Sequence, residues 1–414
     1  MQYKSPLNIY VVWNPDFKDG KRYADLIYKT FNRDTEFALG RNLNIPVFYR
    51  YAADPVTNVP IPIPYLEADC NAVVALLDDD FFDSDGWEGY IEQEILKKIE
   101  DEPKNRLYPV AFSKKGASIA KDELSRLQFI RPDAIKDDDK EKEFQARWRL
   151  IRSRLLHDFS RLLYNINSVS ESEVQEKIEK AGYNARKSPP VSLFLSHAKK
   201  DGLRLAKELK RHIQDEHQMD TFFDANDIAT SHRFDTQIIE QFDENTAVIA
   251  VLSDKYATRE WCKLEISTAK RNRCPLVVVL QIEKGEIRSF PYLGNVPTLL
   301  WNNNLQDIID LILIQVLNAR FSQKYLDKHI KLYRLKKEYQ CMIYSNPPEL
   351  FNYLDILAED KKNEKKVGLV IYPDPPLAGE EQKILQEVMP DVIFTTPLQS
   401  YQFIKDEESQ ISPK

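Results

Sequence analysis

Cysteine and histidine are scarce in this chain. Among 414 residues there are four cysteines and six histidines. Cys70, Cys262, Cys274 and Cys341 form no C-x-x-C pair. That spacing argues against a structural zinc site and a disulfide framework, and it points to a reducing cytoplasm. No two histidines stand at H-x-x-x-H spacing, and the separation of His212 from His217 does not suit a shared helix face. No metal is expected, and no bound cofactor. Long hydrophobic runs are also missing. The longest, "LQDIIDLILIQVL", carries aspartates and falls short of the ~18 apolar residues of a membrane helix. The N-terminus, "MQYKSPLNIYVVWNP", has no apolar core with basic flanks. A membrane is therefore not expected as a partner. There is no excess of basic residues either: 58 Lys and Arg stand against 65 Asp and Glu, a net charge of -7. Wholesale nucleic-acid binding is not expected from that balance.

What is present is a globular composition, 43% hydrophobic and 30% charged, in a chain long enough for two or three domains. Apolar strands, polar loops and amphipathic helices alternate along it, the pattern of α/β domains with mainly parallel sheets. A first α/β block spans residues 1–165, with strands at "LNIYVVW", "NAVVALL" and "RLYPVAF". It ends in a long helix, "FQARWRLIRSRLLHDFSRLLYNI". The arginines of that helix read as a solvated face or, less simply, as a phosphate-binding set. Residues 166–190 form a helix and linker. A second α/β block covers 191–302, with strands at "VSLFLSH", "MDTFFD", "TAVIAVLS" and "PLVVVLQI". Residues 303–400 make a long helical region and a small α/β unit, and 401–414 a flexible tail.

The two α/β blocks resemble each other. "IYVVWNPDFKDGKRYADLI" aligns with "LFLSHAKKDGLRLAKEL" through Asp19-Gly20 and Asp201-Gly202, and "AVVALLDDDFFDSDGWEGYIEQEI" aligns with "AVIAVLSDKYATREWCKLEI". Trp87 then matches Trp261. Glu92 lies five residues after Trp87, whereas Glu265 lies four after Trp261. On an α-helix the longer step turns the carboxylate off the tryptophan's face. The first block therefore reads as a scaffold without the site.

Four stretches of the second block, taken in order, resemble the TIR (Toll/interleukin-1 receptor homology) domain. They are "LFLSHAKKDG", "FFDANDIATSHRF", "VIAVLSDKYATREWC" and the W-C-x-x-E signature "WCKLEI". Ser231-His232 stands where that family usually carries a glycine. The resemblance covers about a quarter of the chain. It implies a flavodoxin-like fold with a five-stranded parallel sheet, and it makes Glu265 the catalytic residue of an NAD-cleaving effector. Other family members only bind other TIR domains, and some make cyclic ADP-ribose signals. The resemblance also implies activation by self-association, with the loop holding Asp227, His232 and Phe234 as the assembly loop. Antiphage defence is its implied setting, and a partner sensor protein its implied regulator.

The chemistry of such a site can be read on its own terms. Nicotinamide is cationic in NAD+ and leaves neutral, so its departure needs no general acid. One carboxylate beside the ribose can meet the oxocarbenium charge, whereas ordinary glycosidases need two carboxyl groups. NAD+ enters as substrate and not as a bound cofactor. Trp261, one helical turn from Glu265, is either a wall for the ribose or nicotinamide or a core residue. Ser196, Asp224 and Ser253 fall near the carboxyl ends of strands, where open α/β sheets bind ligands. Asp224 and Asp227 equally suit a turn, and Glu265 a helix surface. Two function classes follow: an NAD+ glycohydrolase or cyclase, and a TIR scaffold without turnover. Glu265→Ala separates them.

Overall fold

A computed structural model describes residues 3–37, 42–54, 60–79, 81, 87–102, 104–114, 127–167, 191–216, 220–222, 242, 246–285, 291–293, 295–332, 339–363 and 365–400. The chain divides into two compact units, each assembled from separated stretches. One holds Met1–Phe159, Phe321–Ile343 and Ile371–Lys414; the other holds Ser160–Arg320 and Tyr344–Val370. No described helix is long and apolar enough to cross a membrane.

The first unit opens with β1 (Asn8–Trp13), α1 (Gly20–Phe31), β2 (Val47–Arg50) and β3 (Asn71–Leu77). A helical run follows, with α2 (Trp87–Tyr90), a π-helix at Ile91–Leu96 and α3 (Lys97–Asp101). It leads to β4 (Asn105–Ala111) and α4 (Lys140–Asn167). The strands pair in parallel in the order β2-β1-β3-β4. Every residue of β1 and β3 is buried, as central strands covered on both faces require. At the edge, β2 buries only Val47. Within α4, Trp148 is buried, while Arg147 pairs with Glu143 and donates to the Ile135 carbonyl.

The second unit repeats the plan with β5 (Ser192–His197), α5 (Leu203–Glu216), β6 (Asp220–Phe222), β7 (Thr246–Ser253), α6 (Glu260–Arg271), β8 (Leu276–Gln281) and β9 (Thr298–Leu300). All pairs are parallel and the order is β6-β5-β7-β8-β9. In both sheets the first strand lies between the second and third. The chain reverses its direction of growth there, the place at which open α/β sheets bind ligands outside the strands' carboxyl ends. Beyond them come α7 (Leu305–Leu332), β10 (Gln340–Ile343), α8 (Leu350–Lys362), β11 (Val367–Ile371), α9 (Gly379–Val388) and β12 (Ile393–Thr395). Helix α8, absent from the sequence reading, starts after Pro347-Pro348 at a capping box formed by Glu349 and Asn352. It packs on α6: the Lys270 ammonium bonds both Glu349 carboxylate oxygens at 2.7 and 2.8 Å, and Arg273 reaches Asp355 at 3.2 Å.

The shared Asp-Gly pairs have a steric role in both units. A Cβ on Gly20 would collide with the indole of Trp13, the last residue of β1. A Cβ on Gly202 would lie 3.2 Å from the Cβ of His197, the last residue of β5, and 3.3 Å from the Ala198 backbone. Each glycine lets a helix start close against the end of the first strand.

Candidate functional site

The carboxyl end of β5 brings the site together. Ser196 is its penultimate residue, opposite Ala250 of β7, and is 1% exposed. The strand alternation that packs Leu195 into the core turns Ser196 the other way. Its hydroxyl donates to Glu265 Oε2 at 2.5 Å and lies 2.5 Å from the phenol oxygen of Tyr256. Tyr256 is fully buried in the short turn of helix at Tyr256–Thr258 that links β7 to α6.

Glu265 sits on α6 with Cys262, Ile266 and Ala269 on the buried face. It is 9% exposed. A carboxylate so deep is costly without hydrogen bonds, and Ser196 supplies one. Trp261, one turn earlier, is 50% exposed. The pair therefore has the depth profile of a site rim and floor, with the indole outside and the carboxylate inside. Cys262 is buried and free, and burial, reinforced by the nearby Glu265 charge, pushes its thiol well above the usual range. A thiolate nucleophile is not supported there.

A second cluster closes the β5–β7 crossover. The Asp201 carboxylate accepts the Ser253 hydroxyl at 2.7 Å and the Lys255 backbone N–H at 2.9 Å. It ties the loop after β5 to the loop after β7. Ser253, 1% exposed, is turned to this bridge. His197 is buried, with Nδ1 at 3.1 Å from the Leu195 carbonyl.

Of the residues selected from sequence, Ser196 and Glu265 are in direct contact, Ser253 lies at the same sheet edge, and Trp261 is on the same helix as Glu265. Asp224, Asp227, Ser231, His232 and Phe234 lie outside the described residues. Sequence reasoning passed over Tyr256. The signal was available: the turn after a buried strand carries a phenol in "SDKYATREWC", and a buried phenol needs a partner. Among the described residues no cluster of His, Cys, Asp and Glu is arranged to hold a metal ion.

The positions of the first unit matched to Ser196 and Tyr256 are apolar. Pairing sets Val12 against Ala75 as it sets Ser196 against Ala250. Six residues beyond those alanines stand Phe81 and Tyr256, and four beyond the tryptophans stand Ile91 and Glu265. Val12, Phe81, Trp87 and Ile91 are buried in one hydrophobic cluster.

Residues 193–307 match the family model of the TIR domain. No curated protein sequence matches the chain. Among solved structures, a Clostridium novyi NT protein provisionally assigned as a tagatose-6-phosphate ketose/aldose isomerase is 11% identical. Its match covers 78% of this chain and 80% of that one, with a TM-score of 0.21. A Silicibacter pomeroyi DSS-3 protein provisionally assigned as a phosphosugar isomerase is 13% identical over 78% and 88% of the two chains, also at 0.21. Scores so low bear on neither fold nor function.

Proposed function

Starting from a TIR domain at residues 193–307, we propose that this protein is an NAD+ glycohydrolase with Glu265 as its catalytic residue. The observation that carries the reading is a nine-tenths buried carboxylate bonded to Ser196 at the carboxyl end of the central strand β5, one helical turn from a half-exposed tryptophan. As the nicotinamide–ribose bond breaks, its electron pair leaves with nicotinamide and positive charge spreads over the ribose C1 and ring oxygen. A fixed carboxylate at that point stabilises the transition state more than the ground state. Water then adds to C1 and loses a proton, giving ADP-ribose. Addition of an adenine nitrogen instead gives a cyclic product. Trp261 covers the ribose or nicotinamide, and Ser253 and Asp224 are proposed to line the crevice. No bound cofactor takes part.

The first unit reads as a related copy that has lost the site. Its four strands follow the order of the first four strands of the TIR unit, and its Asp-Gly packing and matched tryptophan recur, while Val12 and Phe81 replace hydroxyl and phenol. We assign it a regulatory or docking part, with a sensor protein as a fitting partner. Self-association through the TIR unit is the proposed trigger, antiphage defence the setting, and the cytoplasm the location.

A scaffold without turnover is the alternative. Ser231-His232, standing where the family usually carries a glycine, favours it. Purified protein incubated with NAD+ decides between them. Nicotinamide release is expected, rising more than linearly with protein concentration. Glu265→Ala should lower it by about 10²–10³ or more. No release from wild type at any concentration would leave the scaffold.

A further inference from the structure

We propose that Tyr256 and Ser196 form a one-way hydrogen-bond relay that holds the Glu265 carboxylate in place through Oε2. The inference rests on the reading of Glu265 as the reacting carboxylate, and it adds two positioning residues to it. Ser196 has a single O–H, and that proton goes to Glu265 Oε2 at 2.5 Å. The 2.5 Å contact between the Ser196 and Tyr256 oxygens then requires the phenol to be the donor. Burial, with Cys262 and Glu265 nearby, drives the Tyr256 ionisation well above its ordinary range. The phenol therefore keeps its proton at neutral pH. The relay runs from Tyr256 to Ser196 to Glu265 and cannot reverse while the carboxylate is charged.

Two consequences follow. A donor that itself accepts a hydrogen bond is strengthened by polarisation, most of all in a low-dielectric interior. And hydrogen bonds to the charged form of a carboxyl group favour that form. Groups facing Glu265 come from three elements among the described residues. Tyr256 comes from the turn after β7, Ser196 from β5 and Cys262 from α6, and Cys262 is in turn within electrostatic reach of Arg259 and Asp201. Burial holds Tyr256 and Cys262 in their neutral forms.

The first sheet offers a comparison. Its positions matched to Ser196 and Tyr256 by strand pairing and spacing are Val12 and Phe81, both buried and neither bearing a hydroxyl. Burial of a ring at the second position does not by itself call for the phenol of Tyr256, since Phe81 is buried without one.

The test uses the full chain labelled with carboxyl-13C glutamate, with the Glu265 signal assigned by its loss in Glu265→Gln. Wild type, Ser196→Ala, Ser196→Thr and Tyr256→Phe are titrated, and nicotinamide release is measured on the same samples. Removing a donor to the charged form should raise the Glu265 titration midpoint in Ser196→Ala, and by less in Tyr256→Phe. Ser196→Thr keeps the hydroxyl and should restore the wild-type midpoint. Where release is seen, kcat should fall roughly 10-fold in Ser196→Ala with little change in KM, and the acid limb of the profile should move to higher pH. An unmoved midpoint in Ser196→Ala overturns the relay, whether or not NAD+ is cleaved. A raised midpoint with no release from wild type supports the relay and overturns the glycohydrolase reading. If Tyr256→Phe does not fold, the two Ser196 variants carry the test.

Discussion

At the scale of single residues, burial decides the chemistry. Lys324 of α7 shows this away from the site. Burial pushes its ammonium down to about 8, against the opposing pull of Asp69. In the same unit Lys328 pairs with Asp69, and the Cys70 thiol bonds the Lys104 carbonyl at 2.5 Å. A lysine whose pKa is lowered by folding binds fewer protons in the folded chain than in the unfolded one. Stability should therefore rise with pH from about 8 towards the ordinary lysine value. Lys324→Met should melt higher than wild type at pH 7, and that advantage should shrink by pH 10. Thermal melts across the range check this; a constant advantage would mean that the ammonium carries no burial penalty. At Glu265, the buried carboxylate is met by Ser196, 69 positions away in sequence.

At the scale of elements, the central strands were legible and the edges were not. "NAVVALL" and "TAVIAVLS" are apolar throughout because both faces are covered, and β3 and β7 follow those runs closely. Strands β2 and β9 were missed. "VFYR" buries one residue and "TLL" none, so neither shows the alternation or the continuous apolar run that marks a strand. After Trp87 the helix continues as a π-helix at Ile91–Leu96, so the α-helical spacing used to read Glu92 from the sequence does not hold there. Helix starts against strand ends are the tightest contacts of the plan. Gly20→Ala must displace the Trp13 ring and should cost about 1–3 kcal/mol in urea unfolding. Gly202→Ala needs only a few tenths of an ångström and should cost less. Equal losses would show that close approach is not what these glycines provide.

At the scale of the whole molecule, neither unit is a continuous stretch. The family match ends at residue 307, yet the unit that contains it also draws on 344–370. Lys270–Glu349, Arg273–Asp355 and the Tyr292–Phe351 ring contact at 4.9 Å all join α6 or its neighbours to that later segment. A fragment of residues 191–302 is accordingly expected to lose cooperative thermal unfolding, while the full chain keeps it. A fragment that melts sharply at the full-chain temperature would show the later segment to be dispensable. Apolar periodicity, strand runs and the W-C-x-x-E spacing are local properties, and the sequence alone determined them: the α/β class, the TIR resemblance, and Glu265 with Trp261 on one helix. Which hydroxyls reach Glu265, which way Asp201 turns, and how distant stretches gather into two units were decided only by the tertiary structure. Those hydrogen bonds join residues 52 to 69 positions apart, and no local pattern encodes a bond that forms only once the strand ends and the helix are brought together.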